Sequence, residues 1–210
     1  MFLGQTAGKK VCKAKLDAGF ILDSSGSLRA NYGKEKDFIK SLASALGLSA
    51  DGARAGVVTF SNNAVLSIRL KDHIDISAFN NAVDSIPFMN SGTRIDVGLR
   101  LAERQLFTIA NGGRLGVPKI LILLTDGSQS QASGAEDPSS VANEIRNKGI
   151  KLLVIGIGSG TNQAELLRLG DNKADNVFNA ANFDELLTAP FISAVSESSC
   201  NVGMLLLISC

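Results

Sequence analysis

Five polar residues of the sequence carry side-chain oxygens that can bind a cation. Asp23, Ser25 and Ser27 belong to the stretch "DSSGS", which directly follows the apolar run "AGFIL". Thr93 stands at the start of a predicted helix, and Asp126 follows the apolar run "ILILLT". Carboxylate and hydroxyl oxygens are hard ligands, which suit Mg²⁺, Mn²⁺ or Ca²⁺ better than zinc or copper. If the five side chains meet, we expect them to hold a hard divalent cation.

Three of these five side chains are neutral hydroxyls, so the protein would neutralise the charge of a divalent cation only in part. Mg²⁺ requires near-octahedral oxygens at about 2.0–2.1 Å and readily keeps bound waters. Small Ser and Thr side chains fit that geometry. A partly hydrated cation of this kind can take a carboxylate from another molecule, which is a binding mechanism in itself.

The elements that must position these residues alternate between strands and helices along the chain. Strands are predicted at 17–23, 54–61, 64–70, 118–126, 150–158 and 176–180. Helices are predicted at 33–48, 76–86, 93–107, 137–149, 163–170 and 183–199. This alternation predicts an α/β fold, with a mostly parallel central sheet and helices on both faces. Ligands of such sheets bind outside the carboxyl ends of the strands, where Asp23 and Asp126 stand.

Local patterns add detail to this fold. Asn62 and Asn63 form a turn signal between strands 54–61 and 64–70, which predicts a hairpin and one antiparallel edge strand. Two helices carry apolar stripes at helical spacing. The stripe of the first helix is Phe38, Ile39, Leu42, Ala45 and Leu46, and that of the third is Ile95, Leu99, Ala102 and Leu106. Pro190 is expected to kink the final helix.

The composition favours one globular domain and argues against two classes of partner. The chain has 210 residues without a repeat or linker, so we expect a domain at 15–199, an amino-terminal extension at 1–14 and a tail at 200–210. A net charge of +1, without long runs of one sign, does not fit nucleic-acid binding. Neither a secretory signal nor a membrane span is visible, since "VGMLLLIS" is far shorter than about 20 residues.

Enzymatic motifs are weak in this sequence. "GIGSG" at 156–160 lacks the full G-x-G-x-x-G pattern and follows a late strand, which argues against a dinucleotide site. His73 is the only histidine and is expected at the surface beside Asp72, and no G-x-S-x-G stretch occurs. We therefore do not expect an enzyme. A hydrolase in which the metal-site acids activate water is the weaker alternative.

At three places the sequence resembles the metal-ion-dependent adhesion site of von Willebrand factor type A domains, also called integrin I-like domains. "DSSGS" after "FIL", "SGT" at a helix start and "LLTDG" after a buried strand have the order and spacing of that site's three segments. The resemblance spans residues 15–198. It implies a Rossmann-like three-layer sandwich with the metal at the top of the sheet. The metal-site residues it implies are Asp23, Ser25, Ser27, Thr93 and Asp126, with hydroxyls that can coordinate directly and acids that often act through waters.

The resemblance also implies an extracellular adhesion or matrix-interaction module that binds Mg²⁺, with Mn²⁺ or Ca²⁺ as alternatives. Through the cation, the domain would bind an acidic residue of collagen, of another matrix protein or of a receptor. A structural module that binds metal without capturing a ligand is the alternative. Two features depart from the pattern. Arg94 and Asp96 place charges beside Thr93, and the polar loop 128–137 is expected to border the metal with contacts particular to this protein.

The three cysteines flank the predicted domain. Cys12 precedes the first strand, Cys200 follows the last helix and Cys210 lies in the tail. None forms a C-x-x-C pair, which argues against a zinc or thioredoxin-like site. Their placement favours a Cys12–Cys200 disulfide and an oxidising, extracellular setting. In the chain-entropy model so long a loop stabilises the fold by about 4–5 kcal/mol. Three free thiols are the alternative.

Overall fold

The computed structural model of the chain describes residues 15–201, which form one six-stranded sheet. Its strands are β1 (Leu16–Asp23), β2 (Ala53–Phe60), β3 (Ala64–Ile68), β4 (Lys119–Thr125), β5 (Ile150–Ile157) and β6 (Val177–Ala180). Their spatial order is β3-β2-β1-β4-β5-β6. Every neighbouring pair is parallel except β2 and β3, which form the predicted antiparallel hairpin at one edge. The predicted sheet is therefore confirmed.

Helices cover both faces of this sheet. Those of the described residues are α1 (Tyr32–Ala45), α2 (Ile76–Asp84), α3 (Ile95–Leu101), α4 (Pro138–Asn147), α5 (Gln163–Leu169) and α6 (Ala189–Cys200). One hydrophobic core joins the sheet to α1, α2 and α6, and a second joins it to α3, α4 and α5. Because successive side chains of a strand point to opposite faces, a strand between two cores is apolar along most of its length. This explains the continuous apolar runs of β1, β4 and β5.

The helix that follows Thr93 lies close against the middle of the sheet. All four residues of its predicted apolar stripe are fully buried, which confirms the stripe. After Leu101 the helix continues as a π-helical turn, Ala102–Leu106. Leu106 at the end of that turn packs over Gly19 of β1 and Gly56 of β2, which are paired across the two strands. The two glycines leave the space that this close packing needs.

The prediction for the final helix is wrong in one respect. Residues 183–188 are not part of it, since they contain a short 3₁₀ turn at Glu185–Leu187. The helix begins at Ala189, and Pro190 occupies its first turn instead of kinking its middle. Proline is well tolerated there, because the first turn has no intrahelical partner for the missing N–H group. Phe191 of this helix packs against Phe38 of α1, with ring centroids 6.0 Å apart.

Both ends of the described chain lie at the amino end of the sheet. The described part begins just before β1, and Lys151 at the start of β5 donates a hydrogen bond from Nζ to the carbonyl of Ser198, near the end of α6 (2.9 Å). Cys200 is disulfide-bonded, but its predicted partner Cys12 lies outside the described residues, so that pairing stays a prediction. No helix within residues 15–201 is long and apolar enough to cross a membrane.

Candidate metal centre

The carboxyl end of β1 delivers the first acid of the predicted site. Asp23 is the last residue of the strand and is fully buried. One of its carboxyl oxygens accepts a hydrogen bond from the Ser25 N–H (2.8 Å), and the other accepts one from the Thr125 hydroxyl at the end of β4 (2.8 Å). The Asp23 side chain therefore has a fixed orientation between the first and third segments of the site.

The hydroxyls of the "DSSGS" turn connect it to the second acid. The Ser25 and Ser27 hydroxyl oxygens are 3.2 Å apart, and the Ser27 hydroxyl donates to a carboxyl oxygen of Asp126 (2.9 Å). Ser25 is buried, Asp126 is half-buried and Ser27 is exposed. The structure thus brings four predicted site residues together at the carboxyl edge of the sheet, in a group that opens to solvent.

Thr93 reaches the same edge from the segment just before α3, two residues before the helix begins at Ile95. A methyl group placed on Gly127 would lie 3.9 Å from the Thr93 hydroxyl oxygen, so this side chain faces the backbone that follows Asp126. Among residues 15–201, no side chain forms a hydrogen bond with the Thr93 hydroxyl, which leaves its oxygen available to a ligand. All five predicted residues therefore lie at this edge of the sheet, at the end of β1 or in the loops beside it.

The segment before Thr93 is hydrogen-bonded to the "DSSGS" turn. Ser24 accepts a hydrogen bond from the Met89 N–H through its hydroxyl (2.7 Å) and one from the Asn90 N–H through its carbonyl (3.0 Å). The Gly26 N–H donates to the Ser91 carbonyl (2.8 Å). Asn90 adopts a left-handed backbone with φ of 53°, a conformation that asparagine tolerates better than most residues. These contacts set the approach of the chain to Thr93.

The two acids of the site sit in surroundings that oppose their charge. Burial raises the pKa of Asp23 to about 6, although hydrogen bonds from Ser25 and Thr125 act in the opposite direction. Burial likewise raises the pKa of Asp126 above its ordinary value. The negative charge of Asp126 adds a smaller increase to the pKa of Asp23. A cation between these carboxylates would relieve both effects, because an opposite charge favours the ionised form.

Glu35 of α1 is a third acid near the site, which the sequence interpretation missed. Its side chain is fully buried, and both carboxyl oxygens lack a hydrogen-bond partner in the described part of the chain. Burial raises its pKa well above the usual range, and the charges of Asp23 and Asp126 raise it further. A signal was present in the sequence, because Glu35 precedes Phe38, Ile39 and Leu42 at helical spacing and so falls on the buried stripe.

The two charges beside Thr93 neutralise each other. The Arg94 guanidinium donates to both carboxyl oxygens of Asp96, at 2.7 and 2.6 Å. Burial alone would raise the pKa of Asp96, but hydrogen bonds from Arg94, Gln129 and the Glu136 N–H outweigh it and lower the pKa to about 2. Asp96 is thus a buried, fully ionised partner of Arg94. The pair brings no net charge to the candidate site.

The residues present fit a hard divalent cation. Within residues 15–201, no three His, Cys, Asp or Glu side chains form a metal-binding group. A cation at this edge would therefore depend on the hydroxyl oxygens together with the two acids. The Ser27 hydroxyl lies within hydrogen-bond distance of both Ser25 and Asp126, and Thr93 offers a further unengaged oxygen. This all-oxygen donor set is of the kind that Mg²⁺, Mn²⁺ and Ca²⁺ prefer.

Curated relatives of the chain include matrix proteins. The chain is 31% identical to the collagen alpha-5(VI) chain of Homo sapiens over 185 residues, and this alignment covers 87% of this chain and 7% of that protein. It is 30% identical to matrilin-3 of Mus musculus over 155 residues, and this alignment covers 71% of this chain and 31% of that protein. The chain thus spans less than a third of the length of either relative. These relatives confirm the expected extracellular setting.

Solved structures resemble the fold over nearly the whole chain. Proximal thread matrix protein 1 from the mussel byssus superimposes with a TM-score of 0.83 at 26% identity, over 90% of this chain and 49% of that one. Another structure of that protein has a zinc-occupied MIDAS motif, and it matches with a TM-score of 0.80 at 28% identity, over 91% and 47% of the two chains. The sequence profile of the von Willebrand factor type A domain matches residues 17–190. This chain belongs to the von Willebrand factor type A domain family.

Proposed function

We propose that this domain is a matrix-interaction or adhesion module that binds a divalent cation and, through it, a carboxylate of a protein partner. The observation that carries the proposal is the convergence of the site residues at the exposed carboxyl edge of the sheet. Ser25, Ser27 and Asp126 are linked side chain to side chain there, and the unengaged Thr93 hydroxyl faces the same loop. The buried Asp23 carboxylate is connected to this group, because it accepts hydrogen bonds from the Ser25 N–H and the Thr125 hydroxyl.

The chain's own residues account for such binding without an enzymatic step. Asp23, Ser25, Ser27, Thr93 and Asp126 would hold the cation. When bound, the cation would supply an electron-poor centre that accepts a carboxylate oxygen, because three of the five side chains are neutral. His73 is remote from this edge, since β3 runs antiparallel and ends at the opposite side of the sheet. We therefore infer a binding module and not a hydrolase.

Mg²⁺ is the cation we propose, with Mn²⁺ or Ca²⁺ as alternatives. Oxygen ligands with small side chains suit the tight octahedral geometry of Mg²⁺. The ligand chemistry argues against zinc, yet zinc occupies the MIDAS motif of the mussel relative. Zinc therefore belongs among the cations to be compared. The partner class we propose is an acidic surface of collagen, of another matrix protein or of a receptor, whereas nucleic acids and membranes are not proposed.

The test is calorimetric titration of the 210-residue protein with MgCl₂, followed by capture on immobilised collagen with and without EDTA. Thr93→Ala removes one hydroxyl and should abolish measurable Mg²⁺ binding while thermal unfolding in EDTA stays unchanged. Thr161→Ala, on the loop after β5, is a matched control that should bind as the wild type does. Unchanged Mg²⁺ affinity in Thr93→Ala would contradict the proposed site. Mg²⁺ binding without EDTA-sensitive capture on a panel of matrix proteins would favour a structural module.

A further inference from the structure

The loop that follows Asp126 extends to the segment that carries Thr93. Ser130 of this loop donates a hydrogen bond from its N–H to the Thr93 carbonyl (2.8 Å). The Ser130 hydroxyl accepts a hydrogen bond from the Thr93 N–H (3.0 Å). Both backbone groups of Thr93 are thus bonded to a single residue. This reciprocal pair fixes the backbone of Thr93 relative to the loop that begins at Asp126.

The preceding residue, Gln129, makes a second reciprocal pair with the first turn of α3. Its side-chain amide donates to a carboxyl oxygen of Asp96 (2.6 Å), and its side-chain carbonyl accepts from the Asp96 N–H (3.2 Å). The Gln129 N–H is itself anchored, because it donates to the Glu165 carboxylate of α5 (3.1 Å). Two consecutive loop residues, Gln129 and Ser130, are therefore hydrogen-bonded to Asp96 and Thr93 respectively, in the segment that follows Gly92.

The position of Thr93 relative to Asp126 matters for any cation between them. Metal ligands must stand within a few tenths of an ångström of their ideal distances, and groups behind the ligands commonly keep them there. A ligand that is already held in place loses less conformational entropy on binding. Ser128, in the same loop, is exposed and forms no hydrogen bond within the described residues, so it has no such effect on Thr93.

We propose that Ser130 and Gln129 are positioning residues, which hold the Thr93 hydroxyl at a fixed place relative to Asp126 and thereby set the affinity of the site for its cation. This inference rests on the proposed function and adds residues outside the five predicted ligands. It also gives a role to the polar loop 128–137, whose contacts bridge the second and third segments of the site. Neither residue is proposed to touch the cation.

The experiment compares Ser130→Ala, Ser130→Thr and the matched control Ser128→Ala in the full chain. Two quantities are measured for each protein: Mg²⁺ affinity by calorimetry, and the exchange rate of the Thr93 amide proton in EDTA by NMR. Because one hydrogen bond contributes about 1 kcal/mol, Ser130→Ala should weaken Mg²⁺ affinity about fivefold and speed Thr93 exchange by a similar factor. Ser130→Thr keeps the hydroxyl and should restore both values, and Ser128→Ala should match the wild type.

A companion variant tests the second pair. Gln129→Ala should speed exchange of the Asp96 amide proton and weaken Mg²⁺ affinity, while Thr93 stays bonded to Ser130. Wild-type Mg²⁺ affinity in both Ser130→Ala and Gln129→Ala would overturn the inference, as would unchanged exchange of the Thr93 amide in Ser130→Ala. A wild-type protein that binds no Mg²⁺ would overturn the proposed function instead. The exchange measurements need no cation, so they distinguish the two failures.

Discussion

At the scale of single residues, Asp23 and Glu35 are carboxyl groups whose surroundings oppose ionisation. Burial raises the pKa of Asp23 to about 6 and that of Glu35 well above its usual range. Such an acid binds more protons in the folded chain than in the unfolded one. Its contribution to stability is therefore complete below the unfolded pKa and is lost as pH rises through the folded pKa. For Asp23 the loss amounts to about 3 kcal/mol.

We therefore expect Glu35→Gln to remove part of this pH dependence. The amide keeps the size of the side chain but cannot ionise, so the variant should lose less stability than the wild type between pH 4 and pH 8. The measurement is urea unfolding in EDTA across that range, which yields the free energy of unfolding at each pH. Glu197→Gln, an exposed change on α6, should leave the wild-type curve unaltered. Parallel curves for Glu35→Gln and the wild type would contradict this assignment.

The meeting of the five candidate ligands at one edge could be predicted from the sequence, whereas the residues that position Thr93 could not. Asp23 and Asp126 stand directly after apolar strands, so the sheet topology alone brings them to one edge. Ser130 and Gln129 gave no comparable signal, because they act through a loop whose path depends on tertiary contacts with α3 and α5. A polar residue in a polar loop looks the same in sequence whether it bonds to water or to another segment.

At the scale of elements, the contact between the sheet and the π-helical turn that follows α3 depends on two glycines, Gly19 and Gly56. A methyl group added at Gly56 would lie 2.7 Å from a Leu106 methyl carbon and 2.9 Å from the Ile68 carbonyl oxygen. A methyl group added at Gly19 would lie 2.4 Å from Leu106 and 2.7 Å from Leu121, and both contacts are with side-chain atoms. Side chains can shift more easily than a strand backbone. The Gly56 position is therefore the less tolerant of the two.

We expect Gly56→Ala to lower the free energy of unfolding by about 1–3 kcal/mol, the usual range for overpacking a core. Gly19→Ala should cost less. Gly33→Ala in α1 is the control, since nothing lies within 4 Å of the added methyl and alanine favours helix by up to about 1 kcal/mol. Urea unfolding of the three variants gives the comparison. A stability of Gly56→Ala equal to that of the wild type would show that β3 moves freely at this edge.

The order and type of the main elements could be predicted from apolar periodicity. The residues at which they begin and end were harder to predict. Runs such as "ILILLT" admit few alternatives, because a strand with two buried faces has apolar residues at successive positions. The start of the final helix was harder to place, since residues 183–188 include Leu186 and Leu187 at spacings that also suit a helix. Their 3₁₀ turn is stabilised by tertiary packing, with Leu186 fully buried beside α1. Apolar periodicity over so few residues cannot distinguish a 3₁₀ turn from the first turn of an α-helix.

At the scale of the whole molecule, the candidate metal site and the ends of the described chain lie at opposite ends of the sheet. Asp23 closes β1 at the carboxyl edge, while α6 ends near the start of β5 at the amino edge. A partner at the metal would therefore approach a surface from which neither end of residues 15–201 emerges.

The predicted Cys12–Cys200 disulfide would close the domain at that amino edge and restrain the end of α6. We expect Cys12→Ser to lower the free energy of unfolding by about 2–5 kcal/mol, because the bridge would restrict nearly the whole unfolded chain. Cys210→Ser is the matched control and should leave stability unchanged. Urea unfolding with and without a reducing agent measures both effects, and reduction should abolish the difference between Cys12→Ser and the wild type. If Cys210→Ser is destabilised and Cys12→Ser is not, then Cys200 is paired with the tail, and α6 is not tied to the start of the domain.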